Sequence, residues 1–200
     1  MCEVASKVSE EVSVPFIVGG GMHSLDDVGR ILDAGADKVS LNSAVVNDPV
    51  LIDQISEKYG PERLVVAIDA RKIEGSDADA WEVMTNGGQT GTGIDAVAWA
   101  REVARRGAGE ILVTSMDRDG VQDGYDIPLT RAIARASQLP TIASGGAGKL
   151  EHFVEAIVDG EADGVLAASV FHFGTFSIAQ VKQALADAGI PVRLGKDPAA

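Results

Sequence analysis

One aspartate follows a run of apolar residues that has the character of a buried strand. Asp69 comes directly after residues 65–68, which are all apolar, and packing alone gives little reason for a carboxylate there. Burial would raise the pKa of its carboxyl group and nearby hydrogen-bond donors would lower it, so Asp69 could act as a general acid or base. The alternative interpretations are a helix cap or a salt bridge with Arg71.

Two glycine pairs lie 125 residues apart, each just after an apolar run, and they are Gly20-Gly21 and Gly145-Gly146. A lone glycine pair usually marks only a tight turn. Here the next apolar run after each pair is followed by a pair of small residues that ends in serine, and these are Asn42-Ser43 and Ala168-Ser169. Backbone N–H groups and the positive ends of helices attract phosphate at such places. The repeated pattern predicts two phosphate sites, and hence a substrate with a phosphate at each end.

A third polar cluster, residues 114–120, follows another apolar run. Asp119 with Gly120 indicates a turn that holds substrate, whereas Asp117 could equally pair with Arg118. The three histidines are His23, His152 and His172. Their spacing does not suit metal ligands, so we predict packed or solvated histidines, no metal site and no cofactor.

Short β-branched runs alternate with stretches of helical periodicity, which is the pattern of a parallel sheet covered by helices. The predicted buried strands are residues 14–18, 38–41, 63–68, 110–114, 140–143 and 164–167. Helix starts are predicted at Ser24, Asp48, Asp95, Pro128, Lys149 and Ser177, and left-handed caps at Gly35, Gly60, Gly107, Gly160 and Gly189. The polar residues after the strands should then meet at one edge of the sheet.

Two segments depart from this alternation. Residues 1–12 carry valines at helical spacing, which predicts a helix before the first strand. Residues 73–90 combine a charged stretch with Asn86-Gly87, which predicts a small hairpin insertion at about residues 72–90. Since no linker-like composition divides the rest, we predict one domain over residues 1–200.

The internal repeat favours one sheet architecture over another. The strands at residues 14–18 and 38–41 match those at 140–143 and 164–167, whereas the two strands between the copies have no earlier counterpart. Four units per half would give eight, so we predict a (β/α)₈ TIM-type barrel, incomplete here, with six of eight units and the first two strands missing. The alternative is a doubly wound open sheet, which predicts one glycine fingerprint rather than two distant glycine pairs.

The composition excludes several other classes of protein. The 200 residues carry a formal net charge of −13, which disfavours binding to nucleic acid. Cys2 is the only cysteine, so an intrachain disulfide and a zinc site built on thiolates are both excluded. No apolar run reaches the ~20 residues of a membrane helix, and the N-terminal residues are too charged for a signal peptide, so we expect a cytoplasmic protein.

Several stretches together resemble the cyclase subunits of imidazole glycerol phosphate synthase, an enzyme of histidine biosynthesis. They are residues 16–21, 35–42, 66–70, 106–112, 117–120, 124–126, 143–149 and 167–173. The resemblance covers nearly the whole chain. An isomerase of the same pathway shares the barrel and both phosphate sites and remains the alternative, although residues 124–126 and 143–149 are more similar to the cyclase.

The resemblance implies a reaction and a set of site residues. Ammonia from a partner glutaminase would attack a bisphosphorylated ribulosyl formimino aminoimidazole carboxamide nucleotide, giving imidazole glycerol phosphate and aminoimidazole carboxamide ribotide. Asp69 corresponds to one of the family's two catalytic aspartates. The substrate-holding positions are Asn42, Thr114, Asp119 and Ser144, and the phosphate contacts are Gly20, Gly21, Ser43, Gly120, Gly145, Gly146, Ala168 and Ser169.

The resemblance also implies a charged gate at the other end of the barrel. Lys38 and Glu110 start their strands, where ammonia would enter from the glutaminase, and the alternative is a surface ion pair of small value. The family's other catalytic aspartate has no equivalent in this sequence, so we expect these 200 residues alone to be nearly inactive. A further alternative is a non-catalytic barrel fragment that self-associates to cover exposed strand edges.

Overall fold

Eight strands form one sheet in the structure, a computed structural model that describes residues 1–75 and 79–195. The strands are β1 (Ile17–Gly19), β2 (Lys38–Leu41), β3 (Leu64–Lys72), β4 (Trp81–Thr85), β5 (Thr90–Asp95), β6 (Glu110–Ser115), β7 (Thr141–Ser144) and β8 (Gly164–Leu166). Six of them are parallel, in the order β1-β2-β3-β6-β7-β8, whereas β4 and β5 form an antiparallel hairpin on β3. The parallel strands curl into part of a barrel. The predicted α/β fold, an incomplete TIM-type barrel, is confirmed.

Helices precede and follow the parallel strands. They are α1 (Cys2–Glu11), α2 (Leu25–Asp33), α3 (Ser43–Asn47), α4 (Val50–Tyr59), α5 (Ala96–Arg105), α6 (Ile127–Ser137), α7 (Leu150–Val158), α8 (Ser169–His172) and α9 (Ile178–Asp187). The predicted starts at Ser24, Asp95 and Ser177 are confirmed, because each side chain accepts a backbone N–H group three residues farther along the chain. These local caps set where each helix leaves the preceding strand or loop.

Two of the predicted helix boundaries are wrong. The capping side chain of α6 is Asp126, so Pro128 is the second residue of the helix rather than its start. After α7 the left-handed residue is Glu161 rather than Gly160. A Cβ atom on Gly160 would lie 2.5 Å from the carbonyl oxygen of Ala156, so glycine permits a close approach there instead of a left-handed turn.

The two end strands are shorter than predicted and are not buried. β1 begins at Ile17 instead of residue 14, and β8 ends at Leu166. Among the described residues, β1 pairs only with β2 and β8 only with β7, so Ile17 and Leu166 remain 41% and 42% exposed. The prediction of six buried strands is therefore wrong for these two, because apolar composition does not show whether a strand has a second neighbour.

β3 is longer than predicted because it has an extra partner. It continues through Asp69 to Lys72, since β4 pairs with its second half and sets Asp69 opposite Met84. The prediction that this strand ends at Ile68, just before Asp69, is therefore wrong. The hairpin strands extend to Asp95 rather than to about residue 90. Residues 76–78 of the predicted insertion and residues 196–200 of the predicted domain lie outside the described residues.

Alternation along the strands separates the helix-facing side of the sheet from the barrel interior. In β6, Ile111 and Val113 are buried, whereas Leu112 and Thr114 are only partly buried. The buried residues join a large core that includes Ile52 of α4 and lies between the sheet and its helices. The alternate side chains face the interior, which puts the polar ones where a ligand could reach them. No helix in the described part of the chain has the length and apolarity needed to cross a membrane.

Candidate active site

Three polar side chains form a row across the sheet near the carboxyl ends of the strands. Asp69 on β3 is in register with Thr114 on β6, which is in register with Ser144 on β7. All three are partly exposed, while the residues on either side of them along the chain are buried. In-register residues of parallel strands point to the same face, so this row faces the barrel interior. Active sites of such barrels lie at this end of the strands.

The carboxylate of Asp69 is half-buried and is held by one side chain. Asn42 donates from Nδ2 to Oδ2 of Asp69 at 3.0 Å and to the carbonyl oxygen of Met84 at 3.0 Å. Burial raises the pKa of Asp69, the hydrogen bond from Asn42 lowers it, and the charge of Asp119 raises it. The considered salt bridge with Arg71 is not formed, because the guanidinium donates to the carbonyl oxygen of Gly88 instead. Asp69 therefore has the environment of a carboxyl group that can exchange a proton.

The first glycine pair lines a cavity of about 350 Å³ that also contains Asp69. Gly20 and Gly21 have φ angles of 89° and 69°, a left-handed backbone that favours glycine. Asn42 and Ser43 also line this cavity. We call it the Asp69 cavity. It brings the predicted catalytic residue Asp69 together with four predicted binding residues, which are Gly20, Gly21, Asn42 and Ser43.

The sequence did not indicate that the hairpin contributes to the Asp69 cavity. Asn86 and Gly87, from the turn between β4 and β5, line its rim. The backbone N–H of Asn86 donates to Oγ of Ser43 at 3.0 Å, which holds the turn against the start of α3. The Asn-Gly pair predicted the turn, but a turn signal does not show which loop the turn will contact.

The second glycine pair lines a smaller cavity of about 50 Å³, the Gly145 cavity. Gly145 and Gly146 have φ angles of 89° and 105°. The other predicted site residues on its walls are Asp119, Gly120, Ser144, Ala168 and Ser169. This size suits one small anion rather than a whole substrate.

The two cavities share no lining residue: Asp69 lines the first, Ser144 lines the second, and Thr114 lies between these two side chains in the row. β1 and β7, which lead into the glycine pairs, are four strand spacings apart in the sheet order, or about 19 Å measured along the curled sheet. Both cavities lie at the carboxyl ends of the strands. The arrangement can therefore accept a long molecule with an anionic group at each end and its middle beside Asp69 and Thr114.

The predicted gate residues meet at the opposite end of the strands. Lys38 starts β2 and Glu110 starts β6, and their side chains form an ion pair across the start of β3. The side chain of Glu110 is 16% exposed and that of Lys38 is 32% exposed, so the pair is more buried than a typical surface salt bridge. The pair therefore lies at the amino ends of the strands, away from both cavities.

Two further residues of the loop after β6 contact other strands of the sheet. Asp117 accepts the backbone N–H of Lys72 at 2.8 Å, so the considered pairing of Asp117 with Arg118 is not formed. The hydroxyl of Tyr125 donates to the carbonyl oxygen of Leu166 at 3.0 Å, which ties this loop to the end of β8. Nothing in the sequence indicated this hydrogen bond of Tyr125. In the described ranges there is no cluster of three or more histidine, cysteine or acidic side chains that could hold a metal ion.

One comparison with known protein families bears on this site. The profile of the family described as "Histidine biosynthesis protein" matches residues 1–177. The match includes both cavities, the row formed by Asp69, Thr114 and Ser144, and the pair of Lys38 and Glu110.

Proposed function

Because the chain belongs to the histidine biosynthesis protein family, we propose that it carries the cyclase chemistry of imidazole glycerol phosphate synthase. In this proposal ammonia reacts with a bisphosphorylated ribulosyl formimino aminoimidazole carboxamide nucleotide, and the products are imidazole glycerol phosphate and aminoimidazole carboxamide ribotide. The resemblance of residues 124–126 and 143–149 favours the cyclase over the isomerase of the same pathway.

The observation that carries the proposal is that Asp69 lines one of two glycine-lined cavities and begins the row of side chains that leads to the other. A half-buried carboxyl group held by Asn42 lies at the edge of one cavity, and the second cavity is reached along the row through Thr114 and Ser144. A substrate with two phosphates would occupy both cavities and present its middle to Asp69. Holding both ends restricts the motion of the reacting part, which is a large contribution to rate in enzymes.

We assign Asp69 the role of general acid and base. Its raised pKa brings the carboxyl group closer to the pH at which it can both accept and return a proton. Thr114, Ser144 and Asp119 would hold the substrate, and backbone N–H groups beside Gly20, Gly21, Ser43, Gly120, Gly145, Gly146, Ala168 and Ser169 would bind the phosphates.

The ion pair of Lys38 and Glu110 fits a gate for ammonia in this proposal. It lies at the strand ends opposite the cavities, so a glutaminase docked there would release ammonia on the far side of the pair from the substrate. An ion pair that is part-buried can open only at a cost, which would restrict passage when the partner is absent.

The proposal is tested by single-turnover reactions with the protein in excess over the bisphosphorylated substrate and with an ammonium salt. Because the family's other catalytic aspartate has no equivalent in this sequence, we expect both named products by chromatography but at a slow rate. Asp69→Asn should lower that rate further, by roughly 10²-fold, while substrate affinity changes little. Asp33→Asn, which alters an exposed carboxylate on α2, is the matched control and should react at the wild-type rate.

Two outcomes would contradict the proposal in different ways. An isomerised substrate formed without consumption of ammonia would identify the isomerase reaction. Failure of the bisphosphorylated substrate to bind would show that the two cavities are not phosphate sites.

A further inference from the structure

The helices that follow the two glycine pairs begin with the same contact made by different side chains. In α2, Oδ2 of Asp27 accepts the backbone N–H of His23 at 3.0 Å. In α7, Nδ1 of His152 accepts the backbone N–H of Gly148 at 3.2 Å. Asp27 and His152 are each the third residue of their helix, and they lie 125 residues apart, the offset of the sequence repeat. The two repeats therefore share this contact, but a carboxylate makes it in the first repeat and an imidazole makes it in the second.

The loop that His152 holds, residues 145–148, is tightly packed. The N–H of Gly124 donates to the carbonyl oxygen of Gly146 at 2.8 Å. A Cβ atom on Gly146 would lie 2.2 Å from the carbonyl oxygen of Gly124, and one on Gly148 would lie 2.1 Å from that of Gln122. Residues 145–148 therefore have one position against the loop that follows β6, and a shift of Gly148 would move the glycine pair.

His152 contacts both of these loops. Its side chain is buried, with the residue only 9% exposed, and its Cδ2 atom lies 3.6 Å from the place that a Cβ atom on Gly124 would take. A buried imidazole between the Gly148 N–H and Gly124 fixes the distance between the two loops. Because both loops line the Gly145 cavity, His152 acts on that cavity without touching its contents.

The corresponding loop of the first repeat is less constrained. A Cβ atom on Gly20 would meet no atom within 4 Å, and one on Gly21 would meet only the terminal methyl of Met1, at 3.1 Å. Asp27 is also charged, since hydrogen bonds from His23 and Ser24 lower the pKa of its carboxyl group to about 2. The guanidinium of Arg30 pairs with this carboxylate and offsets its charge beside the Asp69 cavity.

We propose that His152 is a positioning residue that holds the backbone of residues 145–148 in the shape that binds a phosphate in the Gly145 cavity. It does so as a neutral acceptor with its proton on Nε2. The proposal rests on the proposed function, because it takes the Gly145 cavity to be a phosphate site. A carboxylate in the same place would also accept the Gly148 N–H, but it would put a negative charge beside an anion.

Three substitutions at His152 test separately the hydrogen-bond acceptor and the effect of an added negative charge. The side-chain oxygen of asparagine lies about where Nδ1 lies in histidine, so His152→Asn keeps a neutral acceptor. His152→Leu removes the acceptor, and His152→Asp keeps it but adds a charge. Asp27→Asn is the matched change in the other repeat.

The probe is inorganic phosphate, titrated into ¹⁵N-labelled protein while the amide signals of both glycine pairs are followed. We expect His152→Leu to weaken binding at Gly145 and Gly146 by about tenfold, the effect of one lost hydrogen bond, and to leave Gly20 and Gly21 unchanged. His152→Asn should bind nearly as wild type, His152→Asp should bind more weakly, and Asp27→Asn should not affect the Gly145 cavity. A long-range ¹H–¹⁵N spectrum should show Nδ1 of His152 without a proton.

Each contrary result has a distinct meaning. Equal phosphate affinity in wild type and His152→Leu, or a proton on Nδ1, would overturn the role of His152 while leaving the phosphate site in place. If His152→Leu does not fold, the comparison of the asparagine and aspartate variants and the proton position still decide the proposal. No response to phosphate at either glycine pair in the wild type would overturn the proposed function and this inference together.

Discussion

At the scale of single residues, the environment of Asp69 serves the proposed chemistry at a cost to the fold. Burial and the charge of Asp119 both raise the pKa of Asp69, and the hydrogen bond from Asn42 opposes them. The carboxyl group therefore ionises less readily in the folded protein than in the unfolded chain. Residues placed for reactivity commonly reduce stability in this way.

Asp69→Asn is expected to stabilise the protein at neutral pH. With its pKa raised on folding, Asp69 binds more protons in the folded state than in the unfolded state between the two pKa values. Its contribution to stability is thus complete below the ordinary value of 3.8 and is lost as the pH rises through the folded pKa. Thermal unfolding should show a higher melting temperature for the variant at neutral pH and no difference in strong acid. A variant less stable than wild type at every pH would contradict this account.

The ion pair of Lys38 and Glu110 also gives a prediction at this scale. Lys38→Met should destabilise the protein by about 1–3 kcal/mol, because it leaves the largely buried carboxylate of Glu110 without its partner. Adding Glu110→Leu should recover part of the loss in denaturant unfolding. Additive effects of the two changes would show that the side chains do not interact. With a glutaminase partner present, Lys38→Met should alter the glutamine-dependent rate more than the rate with free ammonium.

At the scale of elements, the two glycine loops are alike in sequence and unlike in packing. Gly20 and Gly146 both have a left-handed backbone. A Cβ atom on Gly20 would meet open space, whereas one on Gly146 would collide with the carbonyl oxygen of Gly124 at 2.2 Å. The loop after β6 accounts for the difference, because it covers the second glycine pair.

Alanine substitutions at these two glycines should therefore differ in cost. Gly20→Ala should destabilise the protein by about 1–2 kcal/mol, the penalty of the left-handed backbone alone. Gly146→Ala should cost more, because the loop after β6 must also move. Urea unfolding of the two variants measures the difference. Equal costs would show that the loop yields easily, which would also weaken the argument for His152.

At the scale of the whole molecule, the described part of the parallel sheet ends in two strands, β1 and β8, that each lack a neighbour on one side. Within the described ranges, β1 and β8 each have one paired edge, and both expose apolar side chains. Unpaired strand edges pair readily with other chains. We propose that these 200 residues by themselves associate with further copies through such edges.

The expected result is an apparent mass above that of one chain, 20.7 kDa, which rises with concentration in size-exclusion chromatography with light scattering. Ile17→Lys puts a charge on β1 and should shift the population towards the monomer. Val50→Lys, at a similarly exposed position on α4, is the control and should not. A strictly monomeric wild type at all concentrations would refute the proposal.

The sequence predicted those features that depend on neighbouring residues. The caps at Ser24, Asp95 and Ser177 form as expected, because each bond joins a side chain to the backbone of the same helical turn. The strand and helix order follows from apolar periodicity in the same way. The boundaries of β1 and β3 could not be predicted, since a strand ends where its partner ends, and the partner lies elsewhere in the chain.

In the candidate site too, the features that depend on local sequence were predicted and most contacts between distant residues were not. The sequence alone determined the α/β alternation, the repeat and the two glycine pairs, because spacing and side-chain type are properties of a linear chain. Only the tertiary structure decided that Asn42 would hold Asp69 across 27 residues and that the ion pair of Lys38 and Glu110 would be part-buried. It also decided that the His152 imidazole makes the contact that the Asp27 carboxylate makes in the first repeat. Such contacts depend on the curl and register of the sheet, which arise from all of the strands together.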